Sequence, residues 1–238
     1  MATEREGKCM ENEIKIINRV GKSLDVKVND MDGIIWVTVE FPRDRIRLSS
    51  LKAGDIFRMG EEGYIVLEQL GNGAAAVMAG DALDEEMVFD PVCNNWKTSY
   101  IRRFLNGGYM GKLTEVFGEG NIISHMVDLR SLDGLKDYGK CTDKVSLLSI
   151  RQYWQYREYM GSGLHDVDGD DGSWWLVTPD STLSGVGGSD MLYVGSMGDI
   201  GCASCDFSKG IRPYFVLNDS VLVLPDGHVC IGNGALDL

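Results

Sequence analysis

Cys202-Ala203-Ser204-Cys205 is the pair of side chains whose spacing most suggests chemistry. Two thiols so placed can share a metal or shuttle electrons as a dithiol. A closed zinc site needs a second such pair, and Cys9, Cys93, Cys141 and Cys230 form none. A thioredoxin-like dithiol opens a helix, whereas this one lies among Gly, Ser and Asp. The six cysteines are irregularly spaced along a chain of 238 residues, so no disulfide framework is implied. The thiols are read as structural or incidental.

The second candidate is the acidic run His165-Asp166-Val167-Asp168-Gly169-Asp170-Asp171-Gly172. Three or four close carboxylates can hold calcium. The EF-hand pattern fails, because Asp171 stands where the loop glycine belongs and no Glu closes the run. A solvated turn and a calcium loop both remain open. His125, His165 and His228 share no motif, and no G-x-S-x-G, H-E-x-x-H or P-loop occurs. No catalytic residue, metal or cofactor is assigned, and the chain is read as a binding protein rather than an enzyme.

The third candidate has the chemistry of display. From Asp180 to Lys209 there are six Gly, six Ser, four Asp and two Cys, so 18 of 30 positions are small or turn-forming. Such a stretch builds no core of its own. It is framed by strand-like runs, Trp174 to Pro179 and Gly210 to Leu217. A polar segment held between two strong strands is expected to be a presented surface. The expected contact residues are Ser181, Thr182, Ser184, Val186, Gly187, Ser189, Asp190, Met191, Tyr193, Ser196, Met197, Asp199, Cys202, Ser204, Asp206 and Phe207. Met191, Tyr193, Met197 and Phe207 offer apolar area, and Asp190, Asp199 and Asp206 offer acceptors.

The elements that must position this segment are legible in the hydropathy pattern. Residues 1–50 form a small β-rich element: Ile14 and Ile16, then Leu24, Val26 and Val28, then Ile35, Val37, Val39 and Phe41 alternate at period two. Asn29 to Gly33 reads as a turn, and Pro42 to Ser50 as a charged connection. The main domain spans 51–226, with a turn-rich tail over 227–238. Its first strands are Ile56–Met59, Tyr64–Leu70 and Ala74–Ala79, joined by tight turns. Ser99 starts a helix that Asn106-Gly107-Gly108 is expected to stop, with a shorter helix over 112–117. A strand over 122–129 and an aromatic-rich helix from Ile150 to Met160 follow. Leu192 to Val194, Tyr214 to Leu217 and Val221 to Leu224 are the last strands. The fold class is α+β.

Composition excludes several partners. The formal net charge of −13 repels phosphate backbones, so no nucleic acid is expected. No apolar run is long enough to span a bilayer. No signal-peptide pattern follows Met1, so synthesis in the cytoplasm is expected, which is compatible with assembly into a virion.

Taken in order, Trp96, Arg102-Arg103-Phe104-Leu105-Asn106, Leu147-Leu148, Trp174-Trp175-Leu176 and Gly210-Ile211-Arg212-Pro213 resemble a domain family of unknown function from Firmicutes and their phages. The likeness covers about residues 51–224. It implies a C-type-lectin-like fold of the group that includes formylglycine-generating enzymes and phage receptor-binding tips, with two main helices and short antiparallel strands. Some members resemble the variable proteins of diversity-generating retroelements. There, adenine-directed mutation near the 3′ end of a gene turns Asn codons into Ser, Gly, Asp, Cys, Ala or Tyr. Asp180–Lys209 has that composition and position. The resemblance thus implies a variable surface facing a protein or glycan ligand. Trp96, Trp174, Trp175, Arg212 and Pro213 are its scaffold. One of the paired tryptophans is expected in the core and the other toward the ligand, and Arg212 is expected on a buried carboxylate or backbone carbonyls. The alternatives are a copper oxidase using Cys202 and Cys205, and a structural or assembly module that attaches to a larger partner through residues 1–50.

Overall fold

The computed structural model describes residues 25–31, 34–40, 44–160, 172–186 and 188–226. The chain divides into two compact units, residues 1–44 and 45–238. In the first, β1 (Asp25–Met31) and β2 (Ile34–Glu40) pair antiparallel, with Met31 opposite Ile34. The strand runs on through Asn29 and Asp30, which read as turn residues, so only positions 32 and 33 separate the two strands. The alternation at Ile14 and Ile16, the acidic run at 165–171, Gly187 and the tail over 227–238 lie outside the described residues.

The second unit mixes helix with a curled antiparallel sheet. Four strands come first: β3 (Ile46–Arg47), β4 (Ile56–Met59), β5 (Glu62–Gln69) and β6 (Ala74–Ala79). After β7 (Met87–Val88), two helices follow, α1 (Tyr100–Phe104) and α2 (Met110–Phe117). Short strands come next, β8 (Ile122–Ile123), β9 (His125–Asp128), β10 (Lys140–Asp143) and β11 (Val145–Ser146), and then α3 (Ile150–Tyr156). The last are β12 (Trp174–Pro179), β13 (Asp190–Val194), β14 (Ile200–Ser204), β15 (Ser208–Lys209), β16 (Tyr214–Asn218) and β17 (Leu222–Pro225). The main sheet runs β11-β16-β6-β5-β4-β17-β3, with β8 also on β16. Residues 45–50, expected in a connection, are built into this unit: Arg47 pairs with Leu222, and Leu48 is fully buried.

A strand buried on both faces reads as an unbroken apolar run, and β6 is Ala-Ala-Ala-Val-Met-Ala with every residue buried. Alternate side chains serve two cores. Tyr64, Val66, Ala75, Val77, Phe215 and Leu217 face the core that α1 and α2 cover with Ile101, Leu113 and Phe117. Ile65, Leu67, Ala76, Met78, Tyr214 and Val216 face the core that α3 covers with Ile150, Tyr153 and Tyr156. Each fully buried large side chain contributes about 1.5–3 kcal/mol, so covering both faces is what makes this sheet stable.

The expected stop at Asn106-Gly107-Gly108 does not occur. Leu105–Tyr109 instead forms a π-helical turn that joins α1 to α2. Asn106 explains this. Its Nδ2 donates to the carbonyls of Arg102 and Val145, and its Oδ1 accepts from the amides of Lys144 and Val145. The side chain clamps the helix to β11 while Leu105 and Tyr109 are buried on either side of the glycines. Two turns earlier Ser99 caps α1, and one turn earlier Arg102 grips the buried Asp143 with its Nε and Nη2, the latter at 2.7 Å. Trp96 Nε1 donates to the same carboxylate at 2.7 Å.

Candidate functional site

β12 is the root of the candidate face. Trp174 and Leu176 enter one core, and Trp175 and Val177 enter the other. The two tryptophans do point to opposite sides, but neither reaches the surface, because β12, in the separate sheet β12-β13-β14, is buried on both of its faces. This corrects the expectation that one of them faces a ligand. Trp175 Nε1 donates to the Met87 carbonyl at 2.9 Å. Arg212 is buried against the Trp174 ring, 5.3 Å from its centroid, and donates to the carbonyls of Ala79 and Gly80. Burial lowers its pKa to about 10, partly offset by Asp81 and Tyr153.

The backbone from 180 to 209 is held at its necks. Asp180 N bonds Asp190 O at 3.0 Å and closes the loop 181–189. Cys205 N bonds Ser189 O at 2.9 Å and ties that loop to the turn after β14. β13 and β14 pair in register, Asp190 with Ser204 and Val194 with Ile200. The turn between them is closed by the bond from Gly195 N to Asp199 O.

Three expected contact residues are buried and do not belong to a free surface. Ser181 and Thr182 are enclosed because their hydroxyls anchor the loop, to Asp133 at 2.7 Å and to Asp137 at 2.5 Å. Met191 is enclosed because β13 turns that side chain into the larger core. Ser184 stays exposed although its hydroxyl also reaches Asp137. The hydroxyls of Ser131 and Ser181 hold Asp133 below the usual carboxylate range, and those of Ser184 and Thr182 do the same for Asp137. Asn94, fully buried, donates to the carbonyls of Ser181 and Asp190, and Tyr138 donates to its oxygen. Some of the glycine content is also framework. A Cβ on Gly188 would lie 2.8 Å from the Thr182 carbonyl oxygen, and one on Gly201 would meet the Tyr193 ring. Tyr193 is half-buried, with Lys209 Nζ 3.9 Å from its centroid.

The remaining residues fall into two groups, set at opposite ends of the β13–β14 hairpin. At the loop end, Ser184, Val186, Ser189, Asp206 and Phe207 are exposed, Val186 by 95% and Phe207 by 60%. Asp190 and Ser204, which pair there, are half-buried. At the turn end, Met197 and Asp199 are exposed and Ser196 is half-buried. Five-residue strands separate the ends by about 13 Å. Cys202 is exposed midway, opposite Leu192. Leu183, 73% exposed, and Val92, whose neighbour Asp90 donates from its amide to the Cys205 carbonyl, extend the loop end. Neither was expected from sequence, although both are large apolar residues flanked by polar or turn-forming ones.

No family model, curated protein or solved structure matches the chain. The reading of this site therefore rests on its geometry. Cys205 is buried and its thiol is pushed up to about 11 by that burial, with Asp90 and Asp206 adding to the effect. That disfavours the thiolate a soft metal needs. No group of three or more His, Cys, Asp or Glu placed to hold a metal occurs among the described residues. Among the same residues, no helix is long and apolar enough to cross a membrane.

His125 offers a separate test of the packing. Its Nε2 lies 2.9 Å from Ser146 Oγ, and its ring meets the edge of Tyr214. Burial lowers its pKa to about 4, against a smaller upward pull from Asp143 and the Ile123 backbone. An unfolded histidine titrates near 6.5, so the unfolded chain takes up this proton first. Stability is full well above about pH 6.5, falls as pH drops toward 4 and then levels off, a loss of about 3 kcal/mol from this group. Urea unfolding across that window is expected to show the fall, and His125→Gln to flatten it.

Proposed function

We infer that this protein binds a protein or glycan ligand through the loop end of the β13–β14 hairpin, on a C-type-lectin-like scaffold, as the variable protein of a diversity-generating retroelement. One observation carries the reading. Exposed Leu183, Val186 and Phe207 sit on loops whose necks are pinned by the buried Ser181, Thr182 and Asn94. Large apolar side chains standing in water on braced loops add little to folding stability, and apolar area grouped on a polar-rimmed surface marks an interaction site. Two helical covers, the continuous run from α1 to α2 on one face and α3 on the other, together with the short antiparallel strands, support the scaffold assignment.

Two experiments test it. The first is to sequence the gene's locus. A near-copy of the codons for the exposed positions, altered mainly at adenines and next to a reverse transcriptase gene, is expected; a locus with neither removes the retroelement part. The second is substitution scanning. Changes at Val186, Ser189, Met197, Asp206 and Phe207 are expected to alter stability by no more than about 0.5 kcal/mol. Ser181→Ala and Thr182→Val, which strip the hydroxyls from Asp133 and Asp137, are expected to cost about 1–2 kcal/mol each. Equal sensitivity in the two sets would mean that the loop is packed framework and not a displayed surface.

A further inference from the structure

A pocket of about 200 Å³ lies between the loop at 128–134 and the first turns of α3. It is smaller than the roughly 300–1,000 Å³ typical of drug-sized ligands, so it suits a single ring. Its buried lining is Ile150 with the hydroxyl residues Ser131 and Thr178. Its rim carries Trp154, 53% exposed, and Leu132, 49% exposed, although the other three tryptophans with described side chains are all buried. An indole left in water on a helix whose other aromatics face the core is not explained by folding.

The charge of the pocket runs against that of the molecule. Arg130 and Arg151 both line it, facing one carboxylate, Asp128, on a protein of formal net charge −13. Asp128 does not occupy Arg130 fully. Their closest approach is 3.8 Å and both side chains are substantially exposed, so this ion pair is weak. Arg130 Nε is shut from water with no hydrogen-bond partner. The Arg130 side chain as a whole is 39% exposed, so what a ligand can reach is the guanidinium beyond Nε. The helix amides are not the attraction. Ile150 N already bonds Thr178 Oγ1 at 3.0 Å, and the capping box uses the amides of Ser149 and Gln152.

We propose that this pocket binds a single ring bearing a carboxylate, with the ring against Trp154 and Leu132 and the carboxylate on Arg130 and Arg151. Guanidinium forks match a carboxylate in geometry, and an indole face accepts either an aromatic ring or the apolar face of a sugar. The site is separate from the loop face argued above, and either can fail without the other.

The test is a titration of the full chain followed by tryptophan fluorescence and calorimetry. The probes are benzoate and indole-3-acetate as aromatic acids, glucuronate as a sugar acid, and benzamide and glucose as uncharged counterparts. Saturable binding of at least one acid is expected, with a Kd on the order of 0.1–1 mM for so small a ligand. The uncharged counterpart should bind about tenfold or more weakly, and added salt should weaken the acid. Which acid binds assigns the source as aromatic or saccharide. Arg151→Gln and Trp154→Phe, both at exposed positions that leave the fold intact, should each reduce affinity about tenfold or more, and Trp154→Phe should remove the fluorescence change. The proposal is overturned if none of the acids saturates up to about 20 mM, or if an acid binds equally well to both variants.

Discussion

Replacing Asp143 with alanine is expected to destabilise the protein by about 3–5 kcal/mol, the summed cost of leaving the buried Trp96 Nε1 and the partly buried Arg102 guanidinium without their shared acceptor. In a unit of this size that lowers Tm by about 10 °C or more. The carboxylate is buried and receives Arg102, Trp96 Nε1 and the Cys141 thiol together. Burial on its own would raise its pKa, but those donors and the charge of Arg102 outweigh it and hold the group below the usual carboxylate range. Its contribution is therefore complete at neutral pH and fades only as pH falls below the unfolded value near 3.9 and through the lower folded one. Differential scanning calorimetry at pH 7 and at pH 3 checks both parts. The gap between wild type and Asp143→Ala should be wide at pH 7 and narrower at pH 3. Asp143→Asn should fall between the two, keeping the shape and losing the charge.

Trp175→Ala should have a comparable effect, about 3–5 kcal/mol, through a different cause. The indole is fully buried and meets Phe89 and Tyr193 edge to face. Truncation leaves a cavity at the root of the candidate face and deprives the Met87 carbonyl of its donor. Because Tyr193 leans on this ring, the β13–β14 hairpin should loosen before the rest of the unit. Hydrogen exchange that rises first at residues 190–204 would show it, whereas uniform loss of protection would mean that the hairpin is braced elsewhere.

These two residues also show what a sequence reader can and cannot find. The strands over 56–79 were legible because apolar runs were broken by Gly-rich turns, and the alternation of Trp174 and Trp175 follows from strand geometry alone. The motif positions Trp96, Arg102 and Asn106 stood out, but their partners did not. Asp143 lies 41 residues from Arg102, in an otherwise ordinary acidic stretch. The glycine pair at 107–108 looked like a helix stop, because local propensity carries no sign of the clamp that Asn106 sets on β11. Ser181 and Thr182 looked displayed for the same reason. Their anchors, Asp133 and Asp137, are 48 and 45 residues away. Composition shows how polar a segment is, not whether each hydroxyl already has a partner. The pocket beside α3 left no pattern at all, since Arg130, Arg151 and Trp154 come together only in three dimensions.

The pairing of β3 with β17 has a consequence for how such a unit can be carried. The chain enters the sheet at Ile46 and leaves it at Pro225 through neighbouring strands, Arg47 lying opposite Leu222. A module whose two seams lie side by side can be spliced into a surface loop of a host polypeptide without prising that loop apart.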